Sequence, residues 1–278
     1  MPVTMQLDCN GKLLDLTRAH VMGILNTTPD SFSDGGRFTG LDAARHHAAV
    51  MCAEGARIID VGGESTRPGA QAVSVQEELD RVIPLIEAIH HDSDVIISID
   101  TSKAEVMREA VRCGAGMVND VCALQQPGSL SAVAELGVPV CLMHMQGSPR
   151  TMQSNPQYGD VTKDVLAYLA QRIEACEQAG IKRNALVIDP GFGFGKTLEH
   201  NLQLMRDLKQ FVATGLPVVV GVSRKSMLGM LLDAPLEQRL PGTVALETLA
   251  VCAGAQIIRA HDVQAAVHAA RVAETICQ

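Results

Sequence analysis

Eight short apolar runs recur along the chain, and each leads into a polar residue. The runs are nearly continuous in apolar character, which is typical of parallel strands buried on both faces. Longer segments with helical spacing lie between them. The runs are Val21–Leu25, Arg57–Val61, Val95–Ile99, Gly116–Val118, Val138–Met143, Ala185–Ile188, Pro217–Val222 and Gln256–Ile258.

Strands that alternate with helices form either a doubly wound sheet or a closed barrel. The chain has 278 residues, close to the ~250 residues typical of an eight-unit barrel. Eight units in this length favour the barrel, and no linker or low-complexity stretch divides the chain. We therefore predict an α/β protein with a (β/α)8 TIM barrel fold, in a single domain spanning residues 1–278.

The predicted helices carry start and stop signals. Ser74 with Glu77, and Ser102 with Glu105, have the spacing of a capping box at a helix start. Glycines that predict helix stops are Gly55, Gly114 and Gly180. Two helices present apolar stripes, which consist of Leu79, Val82, Ile83, Ile86 and Ile89, and of Val161, Val165, Leu169, Ile173 and Cys176.

The composition argues against several classes of function. A net charge of −8 without blocks of Lys or Arg does not suggest a nucleic-acid or membrane partner. No run approaches the roughly 18 apolar residues of a membrane helix. Met1–Asn10 carries an acid and no base, unlike a signal peptide, so we expect a cytoplasmic protein.

The eight cysteines are not arranged like a disulfide framework or a zinc site. Those in Ala-rich helical patterns are Cys52, Cys113, Cys176 and Cys252, and Cys141 lies in an apolar run. No C-x-x-C pair is present, which argues against zinc. We therefore expect buried free thiols in a reducing compartment.

The residues at the ends of the apolar runs mix acids, amides and bases. In a barrel, the loops after the carboxyl ends of the strands build the active site. One polar strand end is ordinarily a cap or a turn, but eight of them predict a common site at one mouth. They are Asn26, Asp60, Asp100, Asn119–Asp120, His144, Asp189, Ser223–Lys225 and Arg259–His261.

Three basic residues predict an anion site at this mouth. Arg259 and His261 are two residues apart on the last strand, so they face the same way. Lys225 follows the seventh strand, where barrels often bind phosphate groups. Asn26 and Thr66 could add neutral donors, and Mg²⁺ would prefer the oxygen of Asn26 to any thiol. The alternative is that Arg259 and His261 only pair with neighbouring acids.

The acids predict a second sub-site. A buried Asp can hold a ligand edge with two adjacent N–H donors through paired, charge-assisted hydrogen bonds. Asp189 and Asp100 are the candidates, with Asn119 beside them. An aminopyrimidine-type ring has such an edge. Structural ion pairing inside the barrel is the alternative for either Asp.

Two long loops, Thr27–Gly40 and Gly62–Val73, combine glycine hinges with charge, which is typical of active-site lids. An ordinary surface loop is the alternative for each. A third segment, Pro190–Thr197, nearly matches a phosphate-binding loop, but Pro190 replaces the first Gly and the segment follows a sixth strand. We therefore reject a nucleotide hydrolase. Phe192 and Phe194 are interpreted as flat apolar surfaces near the pocket, with core packing as the alternative for Phe192.

Two segments resemble the signatures of the dihydropteroate synthases. Val21–Gly36 (VMGILNTTPDSFSDGG) resembles the first signature and Ile59–Gly69 (IDVGGESTRPG) the second. Both are long and specific, and the matches cover nearly the whole chain in the family's order. Further matches are Ser98–Ser102, Asn119–Asp120, Cys141–Gly147, Asp189–Lys196, Ser223–Gly229 and Arg259–Val263. The family fold is a (β/α)8 barrel, in agreement with the prediction above.

The resemblance implies that 6-hydroxymethyl-7,8-dihydropterin diphosphate and p-aminobenzoate react to give 7,8-dihydropteroate and diphosphate. The implied catalytic residues are Asp100, Asp189, Lys225, Arg259 and His261. The implied pterin contacts are Asp100, Asn119, Met143, Asp189, Lys225 and Arg259. The implied diphosphate contacts are Asn26, Thr66, Arg67, Arg259 and His261, with Mg²⁺ bridging to Asn26. The implied p-aminobenzoate contacts are Phe32, Thr66, Arg67, Pro68, Phe194, Lys225 and Ser226.

The implied chemistry needs no nucleophilic Ser or Cys. Diphosphate leaves when Mg²⁺, Arg259 and His261 neutralise its charge. The dihydropterin can stabilise a cation at its exocyclic methylene, with Asp100 and Asp189 stabilising the positive ring, and the amine of p-aminobenzoate attacks that carbon.

Other implied properties concern inhibition and assembly. Phe32 and Pro68 match the ordinary family pattern, so the resemblance implies sensitivity to sulfonamides. It also implies a homodimer, for which helices near Gly242–Gly254 and Val263–Ile276 could supply an apolar face. Thr27, which stands where relatives often carry an apolar residue, is a small departure.

Two other functions remain as alternatives at this point. A pterin-binding methyltransferase on a similar barrel would need neither the Thr66–Pro68 loop nor a diphosphate site. A non-catalytic pterin-binding protein would keep only the pocket, and the complete set of basic and acidic residues argues against it.

Overall fold

The computed structural model describes residues 6–27, 37–65, 72–148 and 151–277. Within these ranges the strands are Gln6–Cys9 (β1), Lys12–Asp15 (β2), His20–Asn26 (β3), Ile58–Gly62 (β4), Ile96–Asp100 (β5), Met117–Asp120 (β6), Val140–Met143 (β7), Leu186–Asp189 (β8), Val219–Val220 (β9) and Ile257–Ala260 (β10). The α-helices are Arg37–Glu54 (α1), Val75–Asp92 (α2), Ala104–Arg112 (α3), Ser129–Leu136 (α4), Val161–Gln178 (α5), Leu198–Arg206 (α6), Leu208–Val212 (α7), Ser226–Leu232 (α8), Leu240–Cys252 (α9) and Val263–Cys277 (α10).

Eight parallel strands form the barrel. Their order is β8-β7-β6-β5-β4-β3-β10-β9, and a parallel bridge between Ile188 and Val218 joins the two end strands. The eight strands coincide with the eight apolar runs of the sequence, so the predicted TIM barrel is confirmed. Because all the strands run in the same direction, their carboxyl ends meet at one end of the barrel.

An antiparallel hairpin of β1 and β2 covers the amino-terminal end of the barrel. This hairpin is not among the elements predicted from the sequence. Gly116 lets the Cys9 backbone approach the barrel closely, because a Cβ at Gly116 would clash with the Cys9 carbonyl. The hairpin and the first inward-facing residues of the strands form one apolar cluster, here called the barrel floor: Leu7, Cys9, Leu14, Leu16, Met22, Ile58, Ile96, Met117, Cys141, Val187, Val219 and Ile257.

One predicted capping box is confirmed and the other is wrong. Ser74 caps α2, with its hydroxyl accepting from the Glu77 N–H and the Glu77 side chain accepting from the Ser74 N–H. Lys103, not Ser102, lies at the N-cap of α3, and it makes no side-chain cap. The Ser102 hydroxyl donates to Asp120 instead. Asp120 is fully buried, and a buried carboxylate requires donors more strongly than an exposed helix end does.

The predicted helix stops and apolar stripes are confirmed. Gly55, Gly114 and Gly180 follow α1, α3 and α5 with φ of +107°, +117° and +90°, a region that side chains with a Cβ rarely adopt. The α5 stripe is fully buried. In α2, Val82, Ile86 and Ile89 are buried, with Leu85 added to the stripe, and the remaining two predicted positions pack at the edge of the core.

A disulfide links Cys252 to Cys277, which corrects the expectation of a free thiol at Cys252. Helices α9 and α10 pack against each other, and their carboxyl ends bring the two Cα atoms to 5.7 Å. The pairing depends on this helix packing, which the spacing of the cysteines does not reveal. The other six cysteines are free thiols, and all but Cys52 and Cys122 are buried as expected.

The two predicted lid loops lie mainly outside the described residues. The described part of the second one ends in Val73, whose N–H donates to Glu64 Oε1 at 3.3 Å. No helix in the described ranges is long and apolar enough to cross a membrane.

Candidate active site

Several site residues lie one step above the barrel floor, and Asn26 and Asp100 lie two steps above it, four residues after Met22 and Ile96. Successive residues of a strand face opposite sides, so residues two apart face the same side. A floor residue is therefore followed, two positions later, by a second inward-facing side chain. These pairs are Ile58 and Asp60, Met117 and Asn119, Cys141 and Met143, Val187 and Asp189, and Ile257 and Arg259.

The strand register brings several of the predicted residues to the same level. Asn26, Gly62, Asp100 and Asn119 are successive partners across β3, β4, β5 and β6. A cavity of about 570 Å³ opens beside Asp100, with Glu64 and other residues of the strand-end loops along its wall. The cavity lies to one side of the site, since Asp100 is the one predicted site residue among the described residues that line it.

Arg259 lies at the centre of the site and joins two acids. Its Nε donates to Asp60 Oδ2 at 2.7 Å, and its Nη2 donates to Asp100 Oδ2 at 2.7 Å. Asn119 Nδ2 donates to the same Asp60 oxygen at 3.0 Å. The ion pairing that was the alternative for Arg259 and Asp100 is therefore present. It does not exclude a ligand site, because the Arg259 side chain keeps 19% of its surface exposed at the mouth.

Asp60 is a site residue that the predicted contact sets lack, although it is among the polar strand ends. It is fully buried and fixes two other site residues, Arg259 and Asn119. Since Asn119 Nδ2 donates to Asp60, its amide oxygen is left for a ligand. The signal that could have identified Asp60 is its position two residues after the floor residue Ile58.

The acids at the mouth are perturbed by burial. Burial raises the pKa of Asp100, and the Arg259 guanidinium opposes this rise. Burial also raises the pKa of Asp189, which Lys225 opposes. Two carboxylates held by fixed cations can accept N–H donors from a ligand ring without further reorganisation.

Asp189 and Lys225 meet on the opposite side of the site from Asp60. Asp189 Oδ1 accepts from the Gly191 N–H at 2.7 Å, and Met143 is its partner on the neighbouring strand. The Lys225 amine donates to the Phe192 carbonyl and lies 4.7 Å from the centre of the Phe194 ring. Burial lowers the pKa of Lys225 to about 8, although Asp189 opposes the shift.

The two phenylalanines of the near-match to a phosphate loop have different positions. Phe192 is fully buried in the core, so the alternative of core packing is correct for it. Phe194 is half-buried and faces Lys225, as expected of a flat surface at the pocket. The rejection of a phosphate loop is supported by Lys196, which is buried rather than directed to the mouth.

The last two barrel strands position the remaining basic residue. Ser223 Oγ accepts from the His261 backbone N–H at 3.1 Å and lies 3.1 Å from His261 Nδ1. Arg224 Nε donates to Asp262 at 2.8 Å, which ties the loop before α8 to the end of β10. Ser226 starts α8 and is exposed.

Four predicted site residues, Phe32, Thr66, Arg67 and Pro68, lie outside the described residues. Of the others, Asp100, Asn119 and Arg259 form one connected group, and Asp189, Lys225 and Phe194 form a second one beside it. The first group offers paired acceptors for a ring edge, and the second offers a cation beside an apolar ring.

Asn26 is the candidate for holding a cation. A Cβ built at Gly62 would lie 3.4 Å from Asn26 Oδ1 and 3.7 Å from Asp100 Oδ2, so the two oxygens border one small region. Among the described residues, no group of three His, Cys, Asp or Glu side chains could hold a metal. This donor set fits Mg²⁺, which usually takes one or two protein oxygens and keeps water and substrate phosphate as its other ligands.

Comparisons with known proteins agree with this geometry. Residues 22–261 match the model of the family described as pterin binding enzymes. The chain is 55% identical to the dihydropteroate synthase of Escherichia coli K12 over 97% of this chain and 96% of that one. It is 54% identical to the enzyme of the same name from Haemophilus influenzae, over 94% and 95%.

Solved structures of similar proteins have the same fold. The Yersinia pestis dihydropteroate synthase in a sulfonamide drug complex superposes with a TM-score of 0.93 at 53% identity, over 98% of both chains. The Xanthomonas albilineans enzyme with 4-aminobenzoic acid superposes with a TM-score of 0.93 at 50% identity, over 99% of this chain and 98% of that one.

Proposed function

The chain belongs to the pterin-binding enzymes, among the dihydropteroate synthases, and from this premise we propose that it condenses 6-hydroxymethyl-7,8-dihydropterin diphosphate with p-aminobenzoate. The enzymes of this name are transferases. The observation that carries the proposal is the buried group of Asp60, Asp100, Asn119 and Arg259, which presents acceptors and a guanidinium at one level of the barrel mouth.

The pterin ring is proposed to lie between the two groups of site residues. Its aminopyrimidine edge carries adjacent N–H donors, which Asp189 and the amide oxygen of Asn119 can accept. Asp100 is proposed as the acceptor on the opposite side of the pterin ring. Met143 supplies apolar contact beside Asp189. The planar guanidinium of Arg259 is suited both to stack on the ring and to contact phosphate oxygens.

The diphosphate is proposed to lie towards Asn26, Arg259 and His261. Arg259 and His261 are two residues apart at the end of β10 and its following loop, so both can reach the same anion. Mg²⁺ would be held by Asn26 and would supply charge neutralisation at the leaving group when bound. Thr66 and Arg67 are proposed to complete the diphosphate site.

p-Aminobenzoate is proposed to bind beside the second group of residues. The Phe194 ring offers an apolar face, the Lys225 amine lies 4.7 Å from the ring centre, and Ser226 follows Lys225 at the start of α8. Phe32, Thr66, Arg67 and Pro68 are proposed to complete this sub-site.

The reaction breaks the C–O bond between the pterin methylene carbon and diphosphate, and its electron pair stays on the diphosphate oxygen. The nitrogen of p-aminobenzoate then forms a bond to that carbon and releases one proton. Asp100 and Asp189 stabilise the positive charge that develops on the pterin ring, and Arg259 and His261 stabilise the negative charge on diphosphate.

The test is diphosphate release by the purified protein with Mg²⁺ and the dihydropterin diphosphate, with and without p-aminobenzoate. We expect diphosphate and dihydropteroate to form together in a reaction that depends on p-aminobenzoate. Binding of the pterin without either product would contradict the synthase proposal. Methyl transfer without diphosphate release would identify the methyltransferase instead.

We also propose that sulfonamides inhibit this enzyme by competing with p-aminobenzoate. The support is the Yersinia pestis relative solved with a sulfonamide drug. Inhibition by a sulfonamide should raise the apparent KM for p-aminobenzoate and leave kcat unchanged. Inhibition that p-aminobenzoate cannot overcome would contradict this proposal.

We further propose a homodimer in the cytoplasm. Leu249 on α9, and Val272 and Ile276 on α10, are 56%, 59% and 76% exposed, which forms an apolar area on neighbouring helices. The six free thiols support a reducing compartment, and the Cys252–Cys277 disulfide is evidence against one. Light scattering should give twice the chain mass at micromolar concentration, and a monomer there would count against the dimer. Cell fractionation tests the location.

A further inference from the structure

Lys196 is a buried lysine to which the proposed reaction gives no role. It is 2% exposed and lies at the end of the 190–196 loop, which follows β8. In the near-match to a phosphate loop, Lys196 occupies the position of the lysine that binds phosphate. A buried amine must find hydrogen-bond partners inside the protein, so its contacts define what it does.

The Lys196 amine contacts both ends of its own loop and one neighbouring residue. It donates to the Gly191 carbonyl at 2.8 Å and to the Phe194 carbonyl at 2.9 Å, and it lies 2.9 Å from His144 Nδ1. The His144 carbonyl is a further acceptor at 3.3 Å. Burial lowers the pKa of Lys196, which Asp189 opposes, and three acceptors at 2.8–2.9 Å are enough for every N–H of the amine in either protonation state. The amine therefore fills the inside of the loop where a water or a ligand would otherwise be needed.

His144 is arranged as an acceptor for this amine. Burial lowers the pKa of His144 to about 3, and Lys196 adds to the shift, so the ring is neutral and one ring nitrogen can accept. The ring is held by Tyr168, in an edge contact with centroids 4.9 Å apart. Tyr158 also anchors the loop, since its hydroxyl donates to the Gly195 carbonyl at 2.7 Å.

Three positions of the loop require glycine, because their backbone has positive φ or lies too close to a neighbour for a Cβ. Gly191, Gly193 and Gly195 have φ of +71°, +81° and +63°. A Cβ at Gly191 would clash with the His144 carbonyl, and one at Gly195 would lie 2.5 Å from the Gln146 carbonyl oxygen. The loop is therefore pressed against the segment after β7, and Lys196 fastens it there.

The fastened loop supplies contacts to both Asp189 and Lys225. The Gly191 N–H donates to Asp189, the Phe192 carbonyl accepts from Lys225, and the Phe194 ring faces the Lys225 amine. By contrast, within the described residues no hydrogen bond or ion pair joins Asp60, Asp100 or Arg259 to this loop. A change at Lys196 should reach one half of the site and spare the other.

We propose that Lys196 and His144 are positioning residues that hold the 190–196 loop so that Lys225 and Phe194 are set for p-aminobenzoate. The inference rests on the proposed function for its kinetic consequences. Its structural consequence, a loop fastened by the Lys196 amine, does not depend on the reaction. The two can therefore be tested separately.

The first test compares Lys196→Met with Lys209→Met, a matched change of an exposed lysine on α7. In Lys196→Met, we expect kcat/KM for p-aminobenzoate to fall on the order of 10- to 100-fold, as for a misplacement of about 1 Å. The KM for the pterin diphosphate should rise less, because among its proposed contacts Asp189 and Lys225 touch the loop, whereas the Arg259 group does not. Lys209→Met should match the wild type. Equal losses for both substrates would overturn the proposal.

The second test compares two changes at His144. It keeps the proposal testable if Lys196→Met fails to fold. His144→Asn and His144→Leu both remove the ring, but only Asn keeps an acceptor near the position of Nδ1. We expect His144→Asn to retain more activity towards p-aminobenzoate than His144→Leu. Identical activity of the two folded variants would contradict the role of this acceptor.

The third measurement needs no turnover. Hydrogen exchange of the 190–196 segment, read by mass spectrometry, should be faster in Lys196→Met or His144→Leu than in the wild type and Lys209→Met. Unchanged exchange would overturn the inference even if the enzyme is a synthase. If the wild type has no synthase activity but the variants still exchange faster than it does, the inference is kept and the proposed function is overturned.

Discussion

The amino-terminal end of the barrel is closed by apolar side chains, whereas the carboxyl-terminal end, one step along the same strands, carries charges. The floor is covered by Leu7 and Leu14 of the hairpin. Asp60 on β4 and Arg259 on β10 each lie two residues after a floor residue, and they form a buried ion pair. The same barrel strands, paired in the same register, supply the side chains of both levels. The difference shows that one scaffold can place stability at one end and chemistry at the other.

The two levels also differ in whether their buried side chains need hydrogen-bond partners and find them. The floor needs no hydrogen bonds from its side chains, since they are apolar. In the site level, Asp60 Oδ1 and Ser98 Oγ are buried and have no hydrogen-bond partner among the described residues. Buried polar atoms without partners cost stability. The site level therefore contains buried polar groups that the apolar floor lacks.

Arg259→Met should have the largest effect on activity, and it changes the polar site while leaving the apolar floor intact. Removing the guanidinium leaves Asp60 and Asp100 as unpaired buried acids and takes away a charge beside the leaving group. We expect kcat/KM to fall roughly 10²- to 10³-fold or more. The measurement is steady-state kinetics of dihydropteroate formation.

The control for this variant is Arg206→Met on the exposed face of α6, where the arginine side chain is 64% exposed. It should leave kcat/KM within about twofold of the wild type. A loss for Arg259→Met of less than tenfold would show that Arg259 is a structural partner of the acids and not part of the catalytic group.

Leu14→Ala should break the apolar end alone. Leu14 is 1% exposed in the floor, so truncating it leaves a cavity. We expect the free energy of unfolding to fall by about 2–5 kcal/mol, with kcat of the folded protein unchanged. Leu13, its neighbour in β2, is 61% exposed, and Leu13→Ala should change stability by less than about 0.5 kcal/mol. Urea unfolding measures both, and equal effects would mean that the hairpin does not pack as described.

The pH dependence should sharpen the contrast, because the floor thiols do not titrate near neutral pH: burial raises the pKa of Cys9 to about 12 and raises the pKa of Cys141 well above its ordinary value. Burial lowers the pKa of Lys225 to about 8, so the amine loses its proton as pH rises through about 8. If the ammonium is the active form, kcat/KM for p-aminobenzoate should fall by about tenfold per pH unit above that value. Leu14→Ala should give the same alkaline limb. A flat profile between about pH 7 and 10 would contradict a role for the charged amine.

Ser74→Ala should have the smallest effect and shows that a polar residue near the catalytic end need not serve catalysis. Ser74 caps α2 with the reciprocal contact of Glu77. Losing the cap should lower the melting temperature by about 2 °C without changing kcat or KM. Ser102→Ala is the informative comparison, since Ser102 donates to Asp120 rather than capping α3. A change of kcat in Ser74→Ala would contradict the purely structural role.

Most of the fold could be predicted from the sequence. The eight strands and the barrel follow from apolar runs whose length and spacing are local properties. The hairpin was missed although the sequence carries a signal for it: Asn10–Gly11 is a two-residue turn in which both residues have positive φ, 57° and 85°. The wrong capping box at Ser102 has a different origin, since the motif says nothing of the competing acid Asp120.

The sequence predicted which residues form the candidate site better than it predicted which of them contact each other. Asp100, Asn119 and Arg259 were identified as polar ends of apolar runs, and the structure joins them. Asp60 was seen as a polar strand end but given no role, because its partner Arg259 lies 199 positions away in the chain. Such a contact exists only once β3 has paired with both β4 and β10.

The sequence by itself determined the strands, the helices and which polar side chains end each strand, because these depend on neighbours a few residues apart. It also identified the family through the segments around Asn26 and Gly62. Only the tertiary structure decided that Asp60 orients Asn119 and Arg259, and that Lys196 turns inward to fasten a loop. The physical reason is that barrel closure sets which distant side chains meet, and burial then requires each charge and donor among them to find a partner.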